Sequence, residues 1–211
     1  MHDPANELRR IPLPRTWVNS ASTKVGYTES LASRKEISMR QEQVAEVMND
    51  PLSQELLHSA IPARIAYNGT DGFPRAIPIG FLWKDGRIVV CTASNAYKVK
   101  ALEARPEVAL TIDTDSQPYR ALLVRGTASM EIVDGVPSEY LDASRKVMKD
   151  EEQFRAFEAE VRSLYERMAR ISITLEWAKV LDFQTRLPSA VEQLVNRKLV
   201  NPDDSSGGWM G

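Results

Sequence analysis

The strongest fold signal in this sequence lies in residues 64–83, which read RIAYNGTDGFPRAIPIGFLW. Two β-prone runs, Arg64–Asn68 and Pro74–Trp83, are separated by the turn-forming residues of Gly69–Gly72. Glycine and aspartate clustered between two such runs are typical of a β-hairpin, because these residues tolerate the backbone angles of a tight turn. The stretch therefore predicts two antiparallel strands.

More strands are predicted towards the C-terminus. Lys84–Gly86 is a second tight-turn signal, and Arg87–Thr92 is so apolar that we expect the sheet to bury it heavily. Later β-rich runs are residues 108–113, 119–133, 171–175 and 177–183. The last two are compatible with one kinked strand or with two consecutive strands. At least five strands with short links predict an antiparallel barrel that closes its own edges.

Helical signals precede these strands. Ser38 and Gln41 have the spacing of a capping box, and apolar residues follow them at helical spacing. Asp50 and Pro51 predict a second helix, because aspartate is a good N-cap and proline is well suited to the first helical turn. Together the two helices are expected to pack beside the sheet.

Two further helices are predicted between and after strands. A short one covers residues 98–103 and ends at Arg105-Pro106. A longer one opens at Glu151, where acidic residues suit the positive end of the helix dipole. Its apolar face, which we interpret as core or subunit-facing, consists of Phe154, Phe157, Val161, Leu164, Tyr165 and Met168.

The chain is predicted to have three parts: an N-terminal arm (residues 1–37), a barrel domain (38–190) and a C-terminal tail (191–211). The arm lacks apolar periodicity, so we expect it to be disordered or to lie along a neighbouring subunit. No run approaches the ~20 apolar residues of a membrane span, and the proline-containing start does not resemble a signal peptide. We expect a cytoplasmic protein that does not bind membranes.

Composition excludes several function classes. The chain has 27 basic and 29 acidic side chains, whereas a nucleic-acid binder normally has a basic excess. Cys91 is the one cysteine, which excludes an internal disulfide and a Cys-rich metal site. His2 and His58 are the only histidines, so few residues are available for a Ser-His-Asp triad. His58 is best interpreted as a solvated or capping residue. An enzyme of this composition would need an organic cofactor.

An ordered series of short matches then points to a family. They are Arg64–Tyr67, Asp71-Gly72, Pro74-Arg75, Ile77-Pro78, Phe81–Trp83, Asp85-Gly86, Thr92, Lys98-Val99, Leu102, Pro106–Asp113 and Leu123–Gly126. In this order, residues 38–190 resemble the pyridoxamine 5′-phosphate oxidase-related superfamily, in particular the branch that binds FMN or the deazaflavin F420. The resemblance implies a mainly β fold with flanking helices, a split β-barrel. It also implies a homodimer with a flavin-type cofactor in each of two clefts at the subunit interface.

The segment from Thr92 to Lys100 has the chemistry of a phosphate site. Thr92 and Ser94 offer hydroxyls at the end of a strand, and Lys98 and Lys100 add positive charge at the start of a helix. In the family this segment cradles the cofactor phosphate, which makes Thr92, Ser94 and Lys98 the expected contacts. Lys100 is less favoured, because lysines two residues apart point to different helix faces. The alternative is a hydroxyl-capped surface helix with two solvated lysines.

A second group of candidates lies in the strand after the first turn. In relatives the main chain of this strand runs along the ring edge of the cofactor, with an upstream basic residue near the phosphate. The resemblance assigns these roles to Ile77, Pro78, Ile79 and Gly80, and to Arg75. An edge strand with a bulge would explain the same proline and glycine. Trp177 is expected either to wall the ring from the other subunit or to belong to the core.

The resemblance implies hydride transfer to or from a small planar substrate, with FMN as the first expectation and F420 as the alternative. F420 would also need a basic groove for its oligoglutamate tail, which basic residues between 9 and 40 could form. True pyridoxamine phosphate oxidases end in an arginine and histidine pattern that is missing here, so we do not expect that substrate. No catalytic side chain and no metal ligand are predicted. A flavin- or haem-binding storage protein and an interaction module without cofactor are the remaining alternatives.

Overall fold

The computed structural model describes residues 39–200, with side chains described as far as residue 197. All of these residues belong to the unit formed by residues 37–211. The predicted N-terminal arm, the predicted capping residue Ser38 and the last residues of the predicted tail lie outside the described range. The boundaries of the three predicted parts therefore remain predictions.

Seven strands and six helices follow one another in the described residues. In chain order they are α1 (Gln41–Met48), α2 (Pro51–His58), β1 (Ala63–Asn68), β2 (Pro74–Ile79), β3 (Leu82–Lys84), β4 (Arg87–Ala93), α3 (Tyr97–Ala104), β5 (Glu107–Asp113), β6 (Arg120–Asp134), α4 (Ser138–Arg145), α5 (Glu151–Leu164), β7 (Arg167–Asp182) and α6 (Ser189–Val200).

The strands form one sheet in the order β2-β1-β5-β6-β7-β4-β3, and every neighbouring pair is antiparallel. This confirms the predicted antiparallel β fold with flanking helices. The β3–β4 hairpin turns at Asp85 and Gly86, whose φ angles of 52° and 73° are those of a tight hairpin turn. The apolar strand β4 is buried at Ile88, Val89 and Val90, as its composition predicts.

The predicted continuous strand from Pro74 to Trp83 is wrong, because the chain breaks at Gly80 and Phe81. β2 pairs with β1, whereas β3 pairs with β4. β2 and β3 therefore stand at opposite ends of the strand order. Phe81 is 2% exposed, so its side chain enters the core exactly where the strand direction changes. Burial of one large aromatic ring outweighs continuation of a regular strand.

The two C-terminal β runs form one strand, β7, with a bulge. Arg125 pairs with Trp177, while the next residue, Gly126, pairs with Leu175, so Glu176 is the extra residue. A bulge shifts the side-chain alternation by one, which explains why two alternating patterns with different phase appear in the sequence. The kinked-strand alternative is confirmed.

The first helix starts slightly later than the capping pattern predicts. Gln41 is the first residue of α1, and the backbone N–H of Arg40 donates to the Gln43 side-chain oxygen at 3.1 Å. The capping interaction thus lies two residues beyond the predicted one. In α2 the prediction is confirmed, because the Leu52 N–H donates to Asp50 Oδ1 at 2.9 Å and Pro51 opens the helix.

The predicted apolar face of the long helix is wrong at its C-terminal end. Phe154 and Val161 are buried, but α5 ends at Leu164, which is 64% exposed. Met168 is buried in β7 and belongs to a strand. Met168 has the spacing of the helical face by chance, although it lies in the following strand. After the sheet, α6 occupies a segment most of which lies in the predicted tail (191–211).

The apolar side chains form two clusters. The larger one packs α1 and α2 against the sheet through residues such as Met48, Leu56, Ile65 and Leu122. The smaller cluster consists of Val136, Leu141, Phe154, Val161 and Met168. It joins α4 and α5 to the start of β7, so the two helices between β6 and β7 are held to the barrel by their own apolar contacts.

A nearly buried carboxylate joins the second cluster to the sheet. Glu139 in α4 accepts a hydrogen bond from Lys84 Nζ at 2.9 Å and lies 3.6 Å from an Arg170 nitrogen. Burial alone would raise the pKa of Glu139, but the Lys84 hydrogen bond and the two nearby cations lower it below its usual value. Glu139 therefore favours folding only while it is ionised.

Glu139→Gln is expected to lower the free energy of unfolding at pH 7 by about 1–3 kcal/mol, since it breaks a nearly buried ion pair. Because folding lowers this pKa, the contribution is present above the unfolded-state value and disappears as the pH falls through the folded-state value. Urea unfolding at pH 7 and pH 3 measures this. Glu131→Gln is the matched control, because Glu131 also pairs with Arg170 but is 61% exposed. Equal effects of the two substitutions would contradict the prediction.

Candidate functional site

Two of the predicted phosphate residues are in direct contact. Thr92 lies at the end of β4, and Lys98 lies in the first turn of α3. Lys98 Nζ donates to Thr92 Oγ1 at 3.1 Å. The contact forms because the chain turns tightly between strand and helix: the Ala96 N–H donates to the Ala93 carbonyl at 3.0 Å. The fold thus places an ammonium group and a hydroxyl side by side.

The start of α3 has polar groups that have no partner among residues 39–197. Ala96 is the N-cap and has no side chain that could accept from the first helical N–H groups. Ser94 precedes it, and its hydroxyl makes no hydrogen bond within the described residues. The alternative of a hydroxyl-capped helix does not match this geometry. The N-terminus of α3 is therefore open to an acceptor from outside the chain.

Lys98 is a partly buried cation without a counterion. No carboxylate in the described part of the chain lies within ion-pair distance of its Nζ atom. Burial lowers the pKa of Lys98, because the charged ammonium group is less stable where it is partly removed from water. An anion beside Thr92 and Lys98 would offset this effect. Lys100 is exposed, as expected from its place two residues further along the helix.

Arg75 is held by the β1–β2 turn. Its guanidinium forms an ion pair with Asp71 at 2.8 Å and donates to the Phe73 carbonyl at 2.7 Å. The hydrogen bond from Arg75 lowers the pKa of Asp71. The described contacts of Arg75 therefore order a surface turn and do not join it to Thr92, Ser94 or Lys98.

The strand β2 lies at the edge of the sheet, and its residues alternate between core and solvent. Ile77 and Ile79 pack against the main apolar cluster, whereas Pro78 is exposed. β2 pairs with β1 without a register shift, so the edge-strand alternative is observed but its bulge is not. Because proline has no N–H, Pro74 and Pro78 must turn their nitrogens away from β1. The unpaired edge of β2 therefore carries more carbonyl acceptors than N–H donors. Between Pro74 and Pro78, Ala76 contributes an N–H donor to this edge.

Gly80 follows this strand in an exposed position. Its φ angle is not in the left-handed region, and a Cβ atom built on it would meet nothing within 4 Å. Neither backbone conformation nor packing inside the chain requires a glycine here. The space beside its main chain is open.

Trp177 lies on the outer face of the sheet next to the β7 bulge. It is partly buried, and the Arg125 guanidinium carbon lies 4.2 Å above the ring centroid. Arg125 and Trp177 are paired residues on β6 and β7, so the contact follows from the register of the two strands. Sequence reasoning missed this stacking, because the bulge that aligns the two residues has no signal of its own.

Other candidates do not form sites. His58 is exposed, and its Nδ1 lies 2.8 Å from the Gln54 carbonyl of the same helix. Burial raises the pKa of Cys91 to about 12, so its thiol is inert at neutral pH. The described residues contain no group of three or more His, Cys, Asp or Glu side chains that could hold a metal ion. Of the basic residues between 9 and 40, only Arg40 is described.

A cleft of about 300 Å³ lies elsewhere, and none of the predicted site residues lines it. One wall is a face of α1 that includes Val44, Ala45 and Met48. Trp83 and the β3–β4 turn form the opposite side. The cleft is at the Arg87 end of β4, whereas Thr92 is at the other end of that strand.

The described fold is an antiparallel split β-barrel whose strand β4 ends in a paired hydroxyl and ammonium group. The family model for pyridoxamine 5′-phosphate oxidase matches residues 50–174, and the chain belongs to this family. No curated protein matches the sequence. In the part of the chain that the structure describes, no helix has the length and apolar character needed to cross a membrane.

Solved structures show partial similarity. An F420 reductase is 21% identical, with a TM-score of 0.46, and the match covers 60% of this chain and 94% of that one. A conserved hypothetical protein from Mycobacterium tuberculosis is 18% identical, with a TM-score of 0.47 and coverage of 83% and 96%. The haem storage protein HutZ from Vibrio cholerae is 16% identical, with a TM-score of 0.46 and coverage of 63% and 93%.

Proposed function

We propose that this chain binds FMN and acts as a flavin-dependent oxidoreductase that transfers a hydride to or from a small planar substrate. The observation that carries the proposal is Lys98, a partly buried cation that contacts Thr92 and has no carboxylate partner among the described residues. A phosphate monoester supplies the negative charge and the acceptor oxygens that this pair lacks. Family membership adds support, since the matched region includes the whole segment.

The residues present fit a cofactor phosphate. Thr92 and Ser94 would donate hydroxyl hydrogen bonds, Lys98 would neutralise charge, and the uncapped N-terminus of α3 would donate backbone N–H groups. Lys100 would contribute long-range attraction only, because it is exposed on another helix face. Arg75 would act on the phosphate only after leaving Asp71, and we therefore give it the smaller role.

The free edge of β2 fits the ring of the same cofactor. The pyrimidine edge of a flavin has an N–H donor between two carbonyl oxygens. The N–H of Ala76 would donate to one of these flavin oxygens, and a carbonyl on the same strand edge, at Pro74 or Pro78, would accept from the flavin N–H. Ile77 and Ile79 would support this edge from the core side, and the open space at Gly80 would admit a flat ring close to the backbone.

When bound, FMN would supply the redox chemistry, because it can accept and donate a hydride. The residues of this chain bind and orient it, and the apolar sheet limits access of water. No described side chain is assigned a proton-transfer role. A homodimer belongs to the proposal, with Trp177 of the second copy as a candidate wall for the ring. The exposed rings of Phe73 and Tyr97, 71% and 93% accessible, support a covering partner.

The test is a titration of the purified full-length protein with FMN and, separately, with F420. The expected result is saturable FMN binding by a particle of twice the 23.7 kDa chain mass in light scattering. Tight F420 binding with no FMN binding would replace FMN by the deazaflavin in the proposal. FMN binding without reduction of quinone or nitro acceptors would indicate storage in place of catalysis. Failure to bind either cofactor would refute the proposal.

Gly80→Ala is expected to separate cofactor affinity from stability. The added methyl group meets no described atom within 4 Å, and alanine restricts the unfolded state. The free energy of unfolding should therefore stay constant or rise by about 0.5 kcal/mol. FMN affinity should fall by roughly tenfold, because the methyl group occupies the space assigned to the ring. Urea unfolding and fluorescence titration give the two values. Unchanged FMN affinity would remove Gly80 from the site.

A further inference from the structure

Lys146 joins three elements that are distant in sequence. It follows directly after α4, and its Nζ atom donates to the Leu57 carbonyl at 2.9 Å and to the Phe81 carbonyl at 3.3 Å. The same ammonium group lies 3.6 Å from the centroid of the Phe81 ring. Leu57 is in the last turn of α2, where helix carbonyls lack intrahelical partners. One side chain therefore links α4, the end of α2 and the break between β2 and β3.

The ammonium group interacts with dipoles and a ring, and not with a counterion. No carboxylate in residues 39–197 lies within ion-pair distance of Lys146 Nζ. Burial lowers the pKa of Lys146 to about 8. A partly buried charge without a counterion costs free energy. We therefore look for a function of Lys146 in its hydrogen bonds to the two carbonyl groups.

Phe81 is the residue through which Lys146 reaches the candidate site. Gly80 and Phe81 form the break where the chain leaves β2 and crosses to β3. Inside β2, pairing with β1 ends at Ile79, so the strand ladder does not hold the next peptide. Lys146 therefore anchors the carbonyl and the ring of Phe81 directly after Gly80.

We propose that Lys146 is a positioning residue that fixes the Phe81-Leu82 peptide and thereby sets the ring-binding edge at the end of β2. The inference rests on the proposed function, because the ring edge is assigned there. Lys146 itself contacts neither substrate nor cofactor. Its effect on binding is transmitted through the Phe81 carbonyl and ring.

The test compares Lys146→Met, Lys146→Arg and the control Lys149→Met in the full-length protein. Methionine keeps the apolar stem but cannot donate, whereas arginine can donate to both carbonyls. Lys149 is an exposed lysine that bonds only the Arg145 carbonyl, at 3.4 Å. Amide hydrogen exchange without cofactor is measured at Leu82, which pairs with Val89 and shares a peptide with the Phe81 carbonyl, and at the β5 strand. FMN affinity is measured by titration.

Lys146→Met is expected to increase exchange at Leu82 about tenfold, to leave β5 unchanged and to weaken FMN binding about tenfold. Lys146→Arg should restore most of both values, and Lys149→Met should change neither. Wild-type exchange at Leu82 in Lys146→Met, or equal loss of protection in β5, would overturn the inference. If wild-type protein binds no FMN while exchange rises locally, the proposed function fails and the anchoring of the peptide stands.

Discussion

Lys98→Met is expected to weaken FMN binding by roughly 100-fold. Lys98 is the cation that contacts Thr92, and a hydrogen bond between charged groups in a partly buried site contributes about 1.5–3 kcal/mol. Methionine keeps the length and the apolar stem of the side chain but removes the charge. Because burial already lowers the pKa of Lys98, loss of the charge relieves a cost in the cofactor-free protein. The free energy of unfolding should therefore remain constant within about 0.5 kcal/mol or increase slightly.

The matched control for this prediction is Lys100→Met. The same chemical change is made two residues away on the same helix, but at an exposed position on another face. FMN affinity should then stay within about twofold of wild type at moderate salt. Fluorescence titration measures both variants, and thermal unfolding without FMN tests their integrity. Equal losses in the two variants would mean that general positive charge, and not the Thr92–Lys98 pair, attracts the phosphate.

Gly126→Ala is expected to prevent stable folding. A Cβ atom on Gly126 would lie 2.1 Å from the Thr174 carbonyl oxygen and 3.0 Å from its carbon. Both atoms belong to the backbone of β7, which cannot move away without breaking its ladder with β6. Overlap with a paired backbone at the central strand pair of the sheet should cost more than about 4 kcal/mol. That is comparable to the whole stability of many domains.

The soluble fraction on expression and the urea midpoint of any soluble protein measure this effect. Gly80→Ala is the control, since it makes the same substitution where a Cβ atom meets no neighbour within 4 Å. We expect Gly80→Ala to unfold like wild type and Gly126→Ala to accumulate as insoluble protein. A urea midpoint of Gly126→Ala equal to that of wild type would contradict the clash.

Local sequence signals predicted a large part of the fold. The turn at Asp85-Gly86 and the Asp50-Pro51 helix start depend on residues that act on their own backbone. Alternation of apolar residues located the strands, because burial of one sheet face imposes a period of two. The Thr92 to Lys98 segment was identifiable for the same reason: its hydroxyl and its ammonium group are separated by six positions and a single turn.

The break at Gly80-Phe81 was not predictable from local pattern. Both sides of it have β-prone residues. β2 and β3 are separated only because they pair with β1 and β4, which lie next to opposite ends of the sheet order. The contact of Lys146 with Leu57 and Phe81 spans 89 and 65 positions, and a solvated lysine has the same local sequence pattern. The ion pair of Arg75 with Asp71 likewise depends on how the β1–β2 turn closes.

The sequence by itself determined most of the turns and strand segments and indicated one short segment as a candidate phosphate site, because these properties depend on neighbouring residues. Tertiary structure alone decided which strands pair, where β7 forms its bulge, and which charges lack a counterion. Those outcomes depend on the burial of side chains from distant segments. Lys98 and Lys100 make the distinction clear. They are the same residue type two positions apart, but the fold partly buries Lys98, at the proposed anion site, and leaves Lys100 exposed.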